Sequence, residues 1–325
     1  MDARLEQLLR PIAPQLEDFE KQFKTCLSAR SPFVYQVTEH ILTRRGKRLR
    51  PAFVFLSSGQ MAADPQRAML AALAVELIHT ATLLHDDVID VSSTRRGQPT
   101  VNSKWNNLVS VLMGDYLFSK AFRLLVQAES VDLVEAFSKA TERVSVGQLV
   151  EIQHINNFDI GESDYFSLIA DKTASLFAVS CEAGAILSGC PEREREKIRE
   201  FGEKVGVAFQ ISDDLLDIVG TEAVTGKTVG NDLREGKVTL PLIYTLNNGG
   251  SPRKSEIISL LKNGSENGEV EKVARIVLES GGVEYAQKKA LQCGQEAFEL
   301  LSLLPATEFK QSLEEVARFA ALREQ

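Results

Sequence analysis

Two short stretches carry acids at a spacing that chemistry can use. ATLLHDDVID, residues 81–90, closes an apolar run with Asp86, Asp87 and Asp90. FQISDDLLDIVG, residues 209–220, repeats the pattern with Asp213, Asp214 and Asp217. On a helix, Asp86 and Asp90 lie one turn apart on one face, roughly 5–6 Å between Cβ atoms, where like charges repel. Acids at a helix C-terminus also oppose its dipole. A solvated helix end accounts for one such cluster. Two of them, each placed where it destabilises the helix, point to a compensating cation. Carboxylate oxygens suit a hard divalent ion, and Mg2+ is commonly held by one or two carboxylates together with substrate phosphates. The pattern predicts carboxylate sets on facing helices with several Mg2+ ions between them.

An anion that such ions would clamp needs cations of its own. RRGKRLRP at 44–51 is a dense basic run around Gly46, and RRG recurs at Arg95, Arg96 and Gly97. ADKTASLF offers Lys172 and Thr173, and GKTVGNDLREGK offers Lys227 and Lys237. Each basic group alone reads as ordinary surface. Their placement beside the acid clusters, in a chain of net charge −8, favours a diphosphate. Arginines grip phosphate bidentately, lysines act as point charges, and glycines let backbone amides approach. TEAVTGKT at 221–228 contains GKT but lacks the first glycine of a P-loop and follows no strand, so an ATPase is rejected.

Helical elements must position these residues. Helical periodicity runs through almost all of the 325 residues, and alternating strand patterns are scarce. The punctuation predicts roughly a dozen helices. They include 66–91, 106–128, 130–155, 163–189 and 195–219, then 239–248, 254–263, 269–280, 283–303 and 308–322. Two segments, LAALAVELIHTATLLH and ASLFAVSCEAGAILSG, carry one acid each in the middle of an apolar run. Helices apolar on nearly every side belong in the centre of a bundle. No linker rich in Pro, Gly or Ser divides the chain, so the expectation is all-α, one domain over 1–325. The net negative charge argues against nucleic acid. No uninterrupted apolar run reads as long enough to span a bilayer. The acidic, polar N-terminus does not read as a secretion signal. Cys26, Cys181, Cys190 and Cys293 are scattered without a CxxC pair, which leaves a reducing cytoplasm as the expected location.

In this order along the chain, GKRLRP (46–51), ELIHTATLLHDDVID (76–90), RRG (95–97), GDYLFSKAF (114–122), KTASLF (172–177), FQISDDLLD (209–217) and GKTVGNDLREGKVTLP (226–241) resemble the trans-isoprenyl diphosphate synthases, the polyprenyl synthetase family. The resemblance covers nearly the whole chain. It implies a single large helical bundle around a deep central cavity, and Mg2+-dependent condensation of isopentenyl diphosphate with an allylic diphosphate such as farnesyl or geranylgeranyl diphosphate. By position, Asp86, Asp90 and Asp213 would bind metal, with Asp87, Asp214 and Asp217 in support. Arg95, Lys172, Thr173, Gln210, Lys227 and Lys237 would surround the allylic diphosphate. Gly46, Lys47, Arg50, His79 and Arg96 would hold isopentenyl diphosphate. His79 on its own, on an apolar helix, reads as a satisfied core histidine; the resemblance reverses that. A homodimer is also implied.

The residues one turn before Asp86 are Ala81 and Thr82, with Leu77 and Ile78 a turn deeper. Short-chain members of the family carry bulky aromatics at the Ala81 and Thr82 level, and these stop the growing tail. Here both are small, and ELIHTATLLHDDV resembles the long-chain version. The expected product has many isoprene units and is delivered to a membrane as a quinone side chain. The floor would lie deeper, near Met113, Leu117 or Phe118. A short-chain farnesyl or geranylgeranyl diphosphate synthase is the nearest rival. A terpene cyclase has no use for GKRLR or a second DDxxD, and a non-catalytic, length-setting subunit should lack an acid cluster that this chain keeps.

Overall fold

The computed structural model describes residues 3–29, 31–43, 46–95, 97–219, 230–262, 268–302 and 304–322. Its α-helices, in chain order, are α1 (Ala3–Leu8), α2 (Ala13–Leu27), α3 (Pro32–Leu42), α4 (Leu49–Gln60), α5 (Pro65–Ile89), α6 (Val101–Lys104), α7 (Asn107–Gln127), α8 (Val131–His154) and α9 (Glu162–Ile169). They continue as α10 (Ser175–Ser188), α11 (Glu192–Val219), α12 (Asn231–Arg234), α13 (Leu240–Asn248), α14 (Gly250–Lys262), α15 (Glu269–Glu279), α16 (Gly282–Leu300) and α17 (Glu308–Leu322). Among the described residues, one antiparallel hairpin interrupts the helices, with Thr94 opposite Pro99 and Arg95 opposite Gln98. Its turn has Gly97 at φ 73°, a left-handed conformation that glycine adopts without steric penalty. The chain is all-α.

The helices gather into two compact units that alternate along the chain. One comprises Met1–Thr141, Leu176–Gly202 and Leu303–Val316, the other Glu142–Ser175, Glu203–Ser302 and Ala317–Gln325. The divisions fall inside α8, α11 and α17, one residue into α10, and just after α16.

In the first unit α5 is the central element. Asp64 caps it, accepting the Arg67 N–H at 2.8 Å, and Pro65 opens it, the arrangement favoured at helix starts. Its residues from Ala71 to Ile78 are all buried, packed chiefly by α7 and α4. By length and composition alone α5 is apolar enough to cross a membrane, although Glu76 interrupts its apolar run. Two-thirds of its most apolar window (67 %) lies buried against protein, as befits a core helix. Around it, Phe53 of α4 meets Phe177 of α10 and Phe201 of α11 edge-on, with ring centroids 5.7 and 6.2 Å apart.

The lone acids in the two apolar segments are both paired. Glu76 of α5 bonds Arg48 at 2.6 Å, and Glu182 of α10 bonds Arg195 at 2.6 Å. A buried carboxylate without such a partner would lose far more in desolvation than its helix gains from packing.

The second unit has its own core, drawn from α9, the C-terminal half of α11 and α12 to α16. Ile211, Leu240, Ile257, Val273, Val277 and Ala286 are at its centre. The single helix expected over 163–189 is instead α9, a π-turn at Ala170–Ala174, and α10. One inserted residue widens the turn without altering the apolar pattern on either side, so periodicity passes over it.

Candidate active site

The first acid cluster closes α5. Asp90 N–H still bonds Asp86 C=O at 2.8 Å, so Asp86 and Asp90 stand one turn apart, both half-buried. Asp87, a helical step of 100° away, is 1 % exposed. Its carboxylate accepts Arg95 Nε at 2.6 Å, and its carbonyl accepts the Asn102 amide at 3.0 Å and the Ser92 N–H at 3.0 Å. The hairpin thus delivers Arg95 onto the end of α5. Arg96 lies outside the described residues.

In the same unit the basic run leads into α4. Lys47 is exposed, Gly46 and Arg50 are half-buried, and the Arg50 guanidinium sits 4.7 Å from the Phe177 ring centroid. His79 is half-buried on α5, and its carbonyl accepts the Thr82 hydroxyl at 2.8 Å. Ala81, Leu77 and Ile78 are wholly buried. On α7, Met113 and Leu117 are buried, while Phe118 is half-buried 5.9 Å from the His85 ring. His85 Nε2 lies 3.0 Å from the Val111 carbonyl.

The second cluster sits near the C-terminus of α11, in the other unit. Asp213 is exposed. Asp214 is buried and accepts the Tyr165 hydroxyl at 2.6 Å and the Gln210 amide at 2.7 Å. Gln210 Oε1 in turn accepts the Thr173 hydroxyl at 2.7 Å, which fixes both ends of the side-chain amide. One lone pair of the Gln210 oxygen is therefore already engaged. Burial pushes the Asp214 carboxyl up to about 7, with the Asp213 and Glu151 charges adding to the rise and the Tyr165 and Gln210 bonds opposing it. Burial likewise raises Asp232 well above the carboxylate range.

Asp217 accepts the backbone N–H groups of Asn231 at 3.1 Å and Asp232 at 2.9 Å. It therefore caps α12 from a different helix. Lys237, beyond α12, pairs with Glu235 at 2.6 Å. Lys172 lies on the π-turn and pairs with Glu151 of α8. The two backbones come so close there that a Cβ on Gly147 would sit 2.5 Å from Lys172 N. Lys227 lies outside the described residues.

Among the described residues no three His, Cys, Asp or Glu side chains converge on one point as a ready-made cage. The carboxylates at hand are oxygen donors presented singly or in pairs. That donor set fits Mg2+, which completes its octahedron with water and substrate oxygens, and it does not fit a softer ion that wants nitrogen or sulfur.

Sequence reasoning missed Tyr165, Glu151, Arg48 and Glu20. Nothing in ESDYFSL or GQLVEI distinguishes Tyr165 or Glu151 from surface residues. Glu76 did carry a signal, as the only charge inside LAALAVELIHTATLLH.

A family model for Polyprenyl synthetase matches residues 31–277. The chain is 36 % identical over 316 residues to the all-trans-nonaprenyl-diphosphate synthase (geranyl-diphosphate specific) of Rhodobacter capsulatus, covering 97 % of each chain. It is also 36 % identical over 293 residues to the short chain isoprenyl diphosphate synthase of Methanothermobacter thermautotrophicus, covering 89 % of this chain and 90 % of the relative. A crystal structure of a polyprenyl synthase from Caulobacter crescentus, complexed with calcium and isoprenyl diphosphate, superposes with a TM-score of 0.93 at 32 % identity, covering 98 % of this chain and 97 % of the other. The motifs in order, the helical fold and these matches together place the chain in the polyprenyl synthetase family of trans-prenyltransferases.

Proposed function

We propose that the chain condenses isopentenyl diphosphate repeatedly with an allylic diphosphate, farnesyl or geranylgeranyl, in a Mg2+-dependent reaction. The product is a trans-polyprenyl diphosphate of about C35–C45, its length set by the room left for the tail. The observation that carries the length is the pair Ala81 and Thr82 one turn before Asp86. Ala81 is wholly buried and offers only a methyl group, and the Thr82 hydroxyl is turned back to the His79 carbonyl.

In this reading Asp86, Asp90 and Asp213 hold the metal, with Asp87, Asp214 and Asp217 in support. When bound there, Mg2+ would neutralise charge that gathers on the departing diphosphate. Arg95, Lys172, Lys227 and Lys237 grip the same group. Gly46, Lys47, Arg50, His79 and Arg96 hold the second diphosphate. The carbon–oxygen bond of the allylic diphosphate breaks and the diphosphate leaves with the electron pair. The double bond of isopentenyl diphosphate then supplies the pair for the new carbon–carbon bond, and the proton lost passes to the departing diphosphate. Apolar walls keep water from the allylic cation. Thr173, Gln210 and Asp214 form a fixed polar chain beside Lys172, and no described side chain is needed as a general base.

The product is suited to a quinone side chain in a membrane, the enzyme working as a cytoplasmic homodimer and a single domain. The relative named for short chains supports a second reading, a C15 or C20 product. Incubating the protein with Mg2+, labelled isopentenyl diphosphate and farnesyl diphosphate, then sizing the products, decides between them. A ladder ending at C20 would sink the long-chain reading.

A further inference from the structure

Arg48 stands inside the basic run GKRLRP but is built unlike its neighbours. It is 8 % exposed, while Lys47 is exposed and Arg50 half-buried. Its backbone is left-handed, φ 53° and ψ 34°, at the N-cap of α4. A non-glycine residue persists in that conformation only where the surroundings overdetermine it.

The surroundings here are two acids and an aromatic pair. Nη1 meets Glu76 Oε1 at 2.6 Å, Nε meets Glu20 Oε1 at 2.7 Å, and Nη2 is 3.5 Å from Glu20 Oε2. The guanidinium carbon is 4.8 Å from the Phe23 ring centroid and 5.8 Å from that of Phe19. Burial opposes the charge, but Glu76 and Glu20 outweigh it and hold the group above the ordinary arginine value. A guanidinium whose nitrogens all turn to carboxylates is a poor phosphate ligand, because a second anion would be repelled by both acids. Glu76 belongs to α5 and precedes His79 by three residues, so the two share a helix face. The same helix carries Asp86 and Asp90 about two and three turns beyond His79.

We propose that Arg48 is a positioning residue: the Glu76–Arg48–Glu20 clamp sets the 46–50 loop in register with His79, so that Lys47, Arg50 and His79 meet one diphosphate. This rests on the assignment of those three residues to isopentenyl diphosphate. Arg48 itself touches no substrate.

Steady-state kinetics with farnesyl diphosphate, isopentenyl diphosphate and Mg2+ test it. Glu76→Gln keeps the shape and removes the charge. It should raise KM for isopentenyl diphosphate about tenfold and leave KM for farnesyl diphosphate within about twofold. A merely structural role would lower the melting temperature and kcat with neither KM displaced, and that result overturns the proposal. Lys47→Ala should also raise KM for isopentenyl diphosphate, and Lys47→Ala/Glu76→Gln should raise it by less than the product of the two single effects, since both act in part through Lys47. Fully additive effects overturn the clamp while leaving the substrate assignment intact. An unchanged KM in Lys47→Ala overturns the assignment, and the proposal with it. Glu20→Gln, at the more exposed arm of the clamp, carries the same test with a smaller shift if Glu76→Gln does not fold.

Discussion

At Asp214 the fold holds a carboxyl near pH 7 that in the unfolded chain titrates near 3.8. The folded state therefore binds this proton more tightly than the unfolded state does. Its contribution to stability is fully present below about pH 4 and is lost as the pH rises towards 7, at a slope of no more than about 1.4 kcal/mol per pH unit. Asp214→Asn cannot ionise, so in metal-free buffer its urea midpoint should fall less than the wild-type midpoint between pH 4 and pH 7. Parallel profiles would show that Asp214 is ordinarily acidic. The acids of the two clusters were legible because identical spacing appears twice. Their division into ligands and supports came from the family resemblance, and the partners that engage the supports were not legible, because they lie elsewhere in the sequence: Arg95 for Asp87, Tyr165 for Asp214, and the amides that open α12 for Asp217.

At the scale of the element, the proposed reading makes α5 carry both the metal ligands and a wall of the tail's path. Its C-terminus carries Asp86 and Asp90 and its middle carries Ala81. Ala81→Phe would put a ring in place of a buried methyl group, on the path proposed for the tail. The longest product should shorten by at least two isoprene units, as read by reversed-phase chromatography of the dephosphorylated alcohols. An unchanged ladder would remove Ala81 from the tail's path. Long helices such as α5, α7 and α8 declared themselves by period and caps within two residues of their observed ends. The π-turn at Ala170–Ala174 did not, because a widened turn leaves no mark in hydropathy. Yet that turn carries Lys172 and Thr173, and it is the place where Gly147 lets α8 approach.

For the whole molecule, the consequence of an apolar interior is retention. Each buried five-carbon unit gains up to about 3–4 kcal/mol, as an upper bound. Over several units that gain would hold the proposed long product tightly, so its release should limit turnover. Rapid quenching should reveal a first turnover faster than the steady state, and detergent or lipid vesicles should raise the steady rate without altering the first turnover. Absence of a burst would place the slow step in chemistry. The overall architecture was legible because nearly every segment has helical period. The grouping of segments into two units was not, because 176–202 joins the N-terminal helices across a long stretch of chain.

Asp217 closes the first turn of α12 from the end of α11, and only four residues lie between Asp232 and Lys237. The carboxylate is a knot, tying two stretches of main chain that the sequence separates by more than a dozen residues. An Asp217→Ala enzyme would lose its hold on where Lys237 begins, and its defect would look like a missing lysine more than a missing ion. Counting acids in a DDxxD therefore overstates how many oxygens are left to meet a cation, since one of the three is spent on fastening main chain.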